Sequence, residues 1–190
     1  LLALTAIRNQ DKIGLVLFSD RIVNFIPPRK GRDSVMRLVR EVLAAEDGAK
    51  GGTDIEGALK FLNGVQKRRA VVFLVSDFLS PTDSLERLLR TTARHHDVIA
   101  VPVSDPAESE LPNVGLAELE DPETGELVLV DPSSAAVRRA FAARAAEESE
   151  ALNGFFRKTG IDTLTVATDR PYIDGVRALF HRRARPGARR

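Results

Sequence analysis

The chain has 190 residues, 43% hydrophobic and 29% charged, which is the composition of an ordinary globular protein with room for a sizeable core. It contains no cysteine, which excludes disulfides, a thiol nucleophile and a thiolate zinc site and suits a cytoplasmic protein. The net charge of +1 conceals an asymmetry: six arginines and no acid lie from Arg177 onward, leaving 22 basic against 27 acidic residues, so the body is mildly acidic and argues against a nucleic-acid partner.

The apolar runs at 71–75 and 98–103 have strand length, far short of the roughly 20 residues that cross a bilayer, so no membrane span is expected. No signal peptide is expected either, since residues 1–7 lack a basic flank and a small-residue cleavage site. The chain starts at Leu1 and its only methionine is Met36, so the expectation is a fragment or processed product of a longer protein.

Residues 1–8 read as the end of a helix, with Leu1, Leu4 and Ile7 at helical spacing. Residues 13–18 form an apolar strand, Ser19, Asp20 and Arg21 a tight turn, and residues 22–26 an antiparallel partner ended by Pro27 and Pro28. An amphipathic helix follows at 33–45, with Val35, Leu38, Val39 and Leu43 on one stripe. Gly48, Gly51 and Gly52 make a loop, and a second helix runs from Asp54 to about Gln66.

Residues 70–75 are apolar at every position, the mark of a strand buried on both faces of a parallel sheet. A helix is expected at 82–95, a second such strand at 98–103, and loop at 106–115. Residues 116–119 and 127–130 flank a turn at 121–125 and read as a short hairpin. A long helix at 134–158, a strand at 163–167 and a helix at 173–182 complete a domain of residues 1–183. A basic, disordered tail covers 184–190.

This alternation implies an α/β fold: a three-layer, mostly parallel sheet with helices on both faces and an antiparallel edge strand. Right-handed crossovers then put the loop carrying Thr53 and the strand end carrying Asp77 at one crevice outside the strand ends, where such sheets bind ligands.

The segments at 9–20 (NQDKIGLVLFSD), 51–54 (GGTD), 72–78 (VFLVSDF), 95–101 (HHDVIAV), 111–115 (LPNVG) and 120–125 (EDPETG) resemble, in order, the von Willebrand factor A-like domain-of-unknown-function 58 family. The resemblance implies a Rossmann-like von Willebrand factor A fold with a metal-ion-dependent adhesion site. Thr53 matches that site's threonine and Asp77 its strand-end aspartate. The Asp-x-Ser-x-Ser element has no counterpart in the chain, because its strand would precede Leu1. The implied metal is Mg2+, a hard cation that takes oxygen ligands and keeps several waters. With the site incomplete, this fragment is expected to bind it weakly or not at all. The resemblance also implies a protein partner, a MoxR-type AAA+ ATPase, with the chain as a non-enzymatic adaptor in remodelling or maturation of other proteins.

Each residue has a plainer role beside this. Thr53 and Glu56 can form a capping box for the helix that follows. Asp20, Asp77 and Asp105, each after Ser at a strand end, can cap turns. His95 and His96 close a helix, where positive charge is favoured by the dipole. A second functional class is a magnesium-dependent phosphoryl-transfer enzyme using Asp77 and Asp105. Such an enzyme needs a lysine facing the phosphate, and Lys50 is the only one near that edge.

Overall fold

Two β-branched runs flanking a three-residue turn close into a hairpin. In the computed structural model, which describes residues 5, 7–45, 52–79, 82–120 and 127–184, β1 is Ile13–Phe18 and β2 is Ile22–Arg29, paired antiparallel. Contrary to the sequence expectation, Pro27 and Pro28 do not end β2, and Arg29 still pairs with Ile13. Ile13 pairs with Arg29 and Leu15 with Ile26, so both prolines fall inside the irregularity opposite Gly14, where the ladder asks for neither missing N–H. The register slips between Ile13 and Leu15, and Gly14 permits the slip. A Cβ there would lie 2.8 Å from the Ile26 carbonyl oxygen and 3.0 Å from the Pro28 ring.

The chain divides into two compact units, Leu1–Lys67 and Arg68–Arg190. In the first, α1 (Arg32–Ala44) and α2 (Ile55–Val65) pack on the hairpin. Val35 and Leu38 of α1, and Ile55, Ala58 and Leu59 of α2, are buried at helical spacing. Each large side chain so buried contributes about 1.5–3 kcal/mol. Phe25 meets Phe61 edge-on with ring centroids 5.3 Å apart, and Asn24 Nδ2 donates to Glu41 Oε2 at 2.7 Å, tying β2 to both helices.

The second unit contains β3 (Val71–Ser76), α3 (Asp83–His95), β4 (Asp97–Ser104), a single 3-10 turn (Pro106–Glu108), β5 (Ala117–Glu120), β6 (Leu127–Val130), α4 (Ala135–Thr159), β7 (Asp162–Thr163), β8 (Val166–Ala167) and α5 (Tyr172–Ala184). β3, β7 and β8 all run parallel to β4, while β5 and β6 form a separate antiparallel ribbon. The strand expected at 163–167 is therefore two short pieces. Leu164, between them, keeps a backbone bond to the Ala100 carbonyl at 2.8 Å and buries its side chain with Ile99, Val101 and Leu179.

β4 is buried from Val98 to Val101, on residues that alternate between the two sheet faces, as its composition demands. β3 differs. Its composition is also that of a buried strand, yet Val71 and Val75 are 55% and 53% exposed. The reason is its place: among the described residues β3 pairs with β4 alone and is an edge strand.

At the opposite end of the sheet from the strand carboxyl ends, Arg183 fastens α5 to the starts of two strands. Its guanidinium holds Asp97 bidentately at 2.7 and 2.9 Å and reaches Asp162 at 2.6 Å. Another arginine roots the ribbon. Nη1 of Arg138, in the first turn of α4, donates to Asn113 Oδ1 at 3.2 Å before the ribbon and to the Pro132 and Ser133 carbonyls at 2.6 and 2.9 Å after it.

The architecture is thus mixed α/β, with a mostly parallel sheet, two antiparallel strand pairs and helices. No helix among the described residues is long and apolar enough to cross a membrane. The start of the first helix, Gly48, Gly51, Lys50, the 121–125 turn and the tail at 185–190 lie outside the described residues.

Candidate functional site

α2 begins one residue later than the capping box requires. Asp54, not Thr53, is the N-cap: its carboxylate accepts from the Gly57 amide at 2.7 Å. This corrects the box reading. With the cap at position 54, the third helical residue is Gly57 rather than Glu56, and a Cβ at Gly57 would fall where the capping carboxylate sits. The carboxyl end of the capping loop is also fixed from outside, because the Asp54 amide donates to the Ser19 carbonyl at 2.7 Å. Thr53 is exposed, and its hydroxyl takes no hydrogen bond among the described residues.

The hairpin turn beside it is closed by the Ser19 amide on the Arg21 carbonyl at 2.9 Å. Ser19 Oγ donates to Asp20 Oδ1 at 2.9 Å, and Asp20 pairs with Arg21 at 3.5 Å on the surface. Asp20 is a turn residue.

Asp77 belongs to the second unit, just past the end of β3, and is exposed. The same local device holds it: Ser76 Oγ donates to Asp77 Oδ1 at 3.2 Å and accepts from the Phe78 amide at 3.3 Å. Phe78 takes a left-handed backbone, φ +55°, and buries its ring edge-on against Phe156 at 5.0 Å. A bulky residue in that region is strained, and burial of the ring offsets the strain. The chain is therefore turned sharply at Asp77.

The parallel register brings the ends of β4 and β8 to the same edge, so Asp105 and Thr168 join Asp77 there. Asp105 is committed to its own turn. It caps the 3-10 turn in a full capping box with Glu108 and accepts from Thr168 Oγ1 at 2.5 Å. The Thr168 hydroxyl first, and the Ala107 amide second, hold its carboxyl below the usual carboxylate range. Sequence reading missed Thr168, since nothing local links residues 63 positions apart.

His96 departs from the charged role expected at a helix end. It is the C-cap of α3, only 2% exposed, and its Nδ1 has no hydrogen-bond partner among the described residues. Burial first, then the neighbouring His95 and Arg69, push its pKa down, so it is held neutral.

Among the described residues no three His, Asp or Glu side chains gather as a metal cluster. Thr53 and Asp77, a hydroxyl and a carboxylate, are each the kind of hard oxygen magnesium takes, and they belong to separate units.

The family model described as "Protein of unknown function DUF58" matches residues 1–151. The uncharacterized protein Rv1480 of Mycobacterium tuberculosis is 32% identical over 179 residues, covering 91% of this chain and 55% of its own length. This chain thus spans about half the length of that relative. The uncharacterized protein MAV169 of Mycobacterium avium is 35% identical over 162 residues, covering 83% of this chain and 94% of its own length. Among solved structures, the conserved hypothetical protein BatB from Bacteroides thetaiotaomicron superposes with a TM-score of 0.50 at 13% identity, over 94% of this chain and 82% of that one, a likeness of fold alone. With 151 residues under one family model and two such relatives, the chain belongs to the DUF58 family of proteins of unknown function.

Proposed function

We propose that this chain is part of a metal-dependent protein-binding module, a three-layer von Willebrand factor A-like domain in which Thr53 and Asp77 are oxygen ligands of Mg2+. We propose further that it acts as an adaptor for a MoxR-type AAA+ ATPase. The observation that carries the reading is the cap of α2. Asp54 takes the capping role, so the Thr53 hydroxyl, the family's match to the metal-site threonine, is not spent on the helix. Asp77 is likewise an exposed carboxylate whose only hydrogen bond among the described residues comes from the adjacent Ser76.

The exposed Val71 and Val75 on edge strand β3 support a further strand and layer in the complete domain. When bound, the cation would supply an electrophilic position for a partner's carboxylate. The protein's own part is to present one neutral hydroxyl just before the cap of α2 and one carboxylate just past the end of β3. The phosphoryl-transfer alternative is weakened by Asp105, whose carboxylate is taken up by Thr168 and Ala107.

The test is capture of the AAA+ ATPase by the full-length protein in Mg2+ and in EDTA. The expected result is capture in Mg2+ alone, lost in Thr53→Ala and Asp77→Ala proteins whose melting curves are unchanged. Capture indifferent to EDTA and to both substitutions overturns the metal-dependent reading. Phosphate-ester hydrolysis lost in Asp77→Ala would establish the enzyme instead.

A further inference from the structure

The β5–β6 ribbon is built as a platform and left uncovered. Its two feet, at Asn113 and at Pro132–Ser133, are held by the one guanidinium of Arg138, and Pro132 is fully buried. Between the feet four large apolar residues are exposed rather than buried, Leu116 at 72%, Leu127 at 57%, Val128 at 51% and Leu129 at 67%, while Val130 is half-buried. An isolated two-stranded ribbon is marginal in water, and an apolar strand edge is a template for another strand. β6 pairs only with β5 among the described residues, so the N–H and C=O groups along its outer edge are unpaired by any strand.

The charge of the segment says what would cover it. Glu118 stands directly across from Leu129, so a carboxylate and a leucine share one face, and Asp131 is exposed at the strand's end. Along the sequence no lysine or arginine occurs from Asp97 to Val137, a stretch that holds ten acids. A second copy of the same ribbon would set like charges against each other. A segment carrying lysine or arginine alternating with apolar residues would match both the carboxylates and the leucines.

We propose that the outer edge of β6 is a docking site for an extended, basic strand of a partner protein, which adds to the ribbon by backbone pairing. The site lies within the second unit and uses neither Thr53 nor Asp77, so its occupancy is independent of metal.

The experiment is fluorescence anisotropy of the whole chain with a capped, labelled octapeptide alternating lysine and valine. Three further probes accompany it: a Glu/Val analogue, and two analogues N-methylated on alternate residues, one along each peptide edge. The expected result is saturable binding of the Lys/Val peptide, at least about tenfold weaker for the Glu/Val peptide and for one of the two N-methylated peptides. Leu129→Asp and Glu118→Lys proteins, exposed-site variants whose circular dichroism should match the parent, are expected to lose affinity by a similar factor, and EDTA to change nothing. Equal binding of both N-methylated peptides, or indifference to Leu129→Asp, overturns strand addition and leaves only general charge attraction. A sedimenting dimer dispersed by Leu129→Asp, with no peptide binding, overturns the basic partner in favour of a second copy. Loss of the adaptor's metal-dependent capture without loss of peptide binding would refute the proposed function and leave this site standing.

Discussion

The amide of Asp54 donates to the carbonyl of Ser19 at 2.7 Å, so the residue that caps α2 is fastened to the turn of the β1–β2 hairpin. One aspartate thus serves two attachments, its carboxylate to Gly57 and its amide to Ser19, while its neighbour Thr53 serves neither. Replacing Asp54 with alanine removes only the carboxylate and should cost about 1 kcal/mol of stability by urea unfolding. Thr53→Ala should lie within about 0.5 kcal/mol of the parent. The reverse order would return the cap to Thr53 and remove the main support for its role as a ligand.

Gly14 faces the backbone of β2 across the register slip, where a Cβ would meet the Ile26 carbonyl oxygen at 2.8 Å. Neither neighbour is the free end of a flexible side chain, so the strands must part. Gly14→Ala is expected to destabilise the protein by about 1–3 kcal/mol in equilibrium unfolding. Gly64, also in the first unit, has nothing within 4 Å of its added Cβ and serves as the control. As the last residue but one of α2, it should stay within about 0.5 kcal/mol of the parent on substitution by alanine.

Arg183 carries three hydrogen bonds to two carboxylates with only 17% of its side chain exposed. Methionine at this position keeps much of the stem packing but strands Asp97 and Asp162. The expected loss is about 2–3 kcal/mol, below that for a fully buried pair because both acids are partly solvated. Asp162→Asn, which keeps a hydrogen-bond acceptor, should cost less than half of that; equal losses would show that the charge of Asp162, not the bond, is what matters.

His96 makes stability depend on pH. Its folded pKa lies below the ordinary imidazole value of about 6.5, so on acidification the unfolded chain takes up the proton first. Above about pH 6.5 both states are neutral there and the residue has no effect; below it, stability falls until the folded form also protonates. Urea midpoints should therefore drop between pH 7 and pH 5 by more in the parent than in His96→Gln. Parallel slopes in the two proteins would assign the pH dependence elsewhere.

Much of the fold was legible because burial and composition agree. The apolar run at β4, the helices expected at 33–45 and 54–66, and the two short strands expected at 116–119 and 127–130 all become elements at or near their expected bounds, though of the expected stripe Val35 and Leu38 are buried while Leu43 is exposed. Composition failed where the neighbour, rather than the strand, decides exposure. Val71 and Val75 belong to a sequence fit for a sheet interior but sit on an edge. Proline rules failed at Pro27 and Pro28 because both lie in the register slip opposite Gly14, where the pairing skips them and resumes at Arg29. At the candidate site, Asp77 was found where a strand end predicts it. The capping position shifted by one residue, since Thr-x-x-Glu and Asp-x-x-Gly overlap and only geometry separates them. The partners of Asp105, Asp97 and Pro132 come from Thr168, Arg183 and Arg138, and of these only the last is close in sequence; long-range pairing leaves no local mark.

Because Arg138 grips both feet of the ribbon, whatever tugs on β6 tugs on α4. That helix has 25 residues and so extends about 37 Å, ending at Gly160 two positions before β7. A load applied at the ribbon is carried by this rod into the parallel sheet itself, at the strand that Arg183 also grips. The ribbon is in effect a handle, and its shaft is bolted to the frame at the far end.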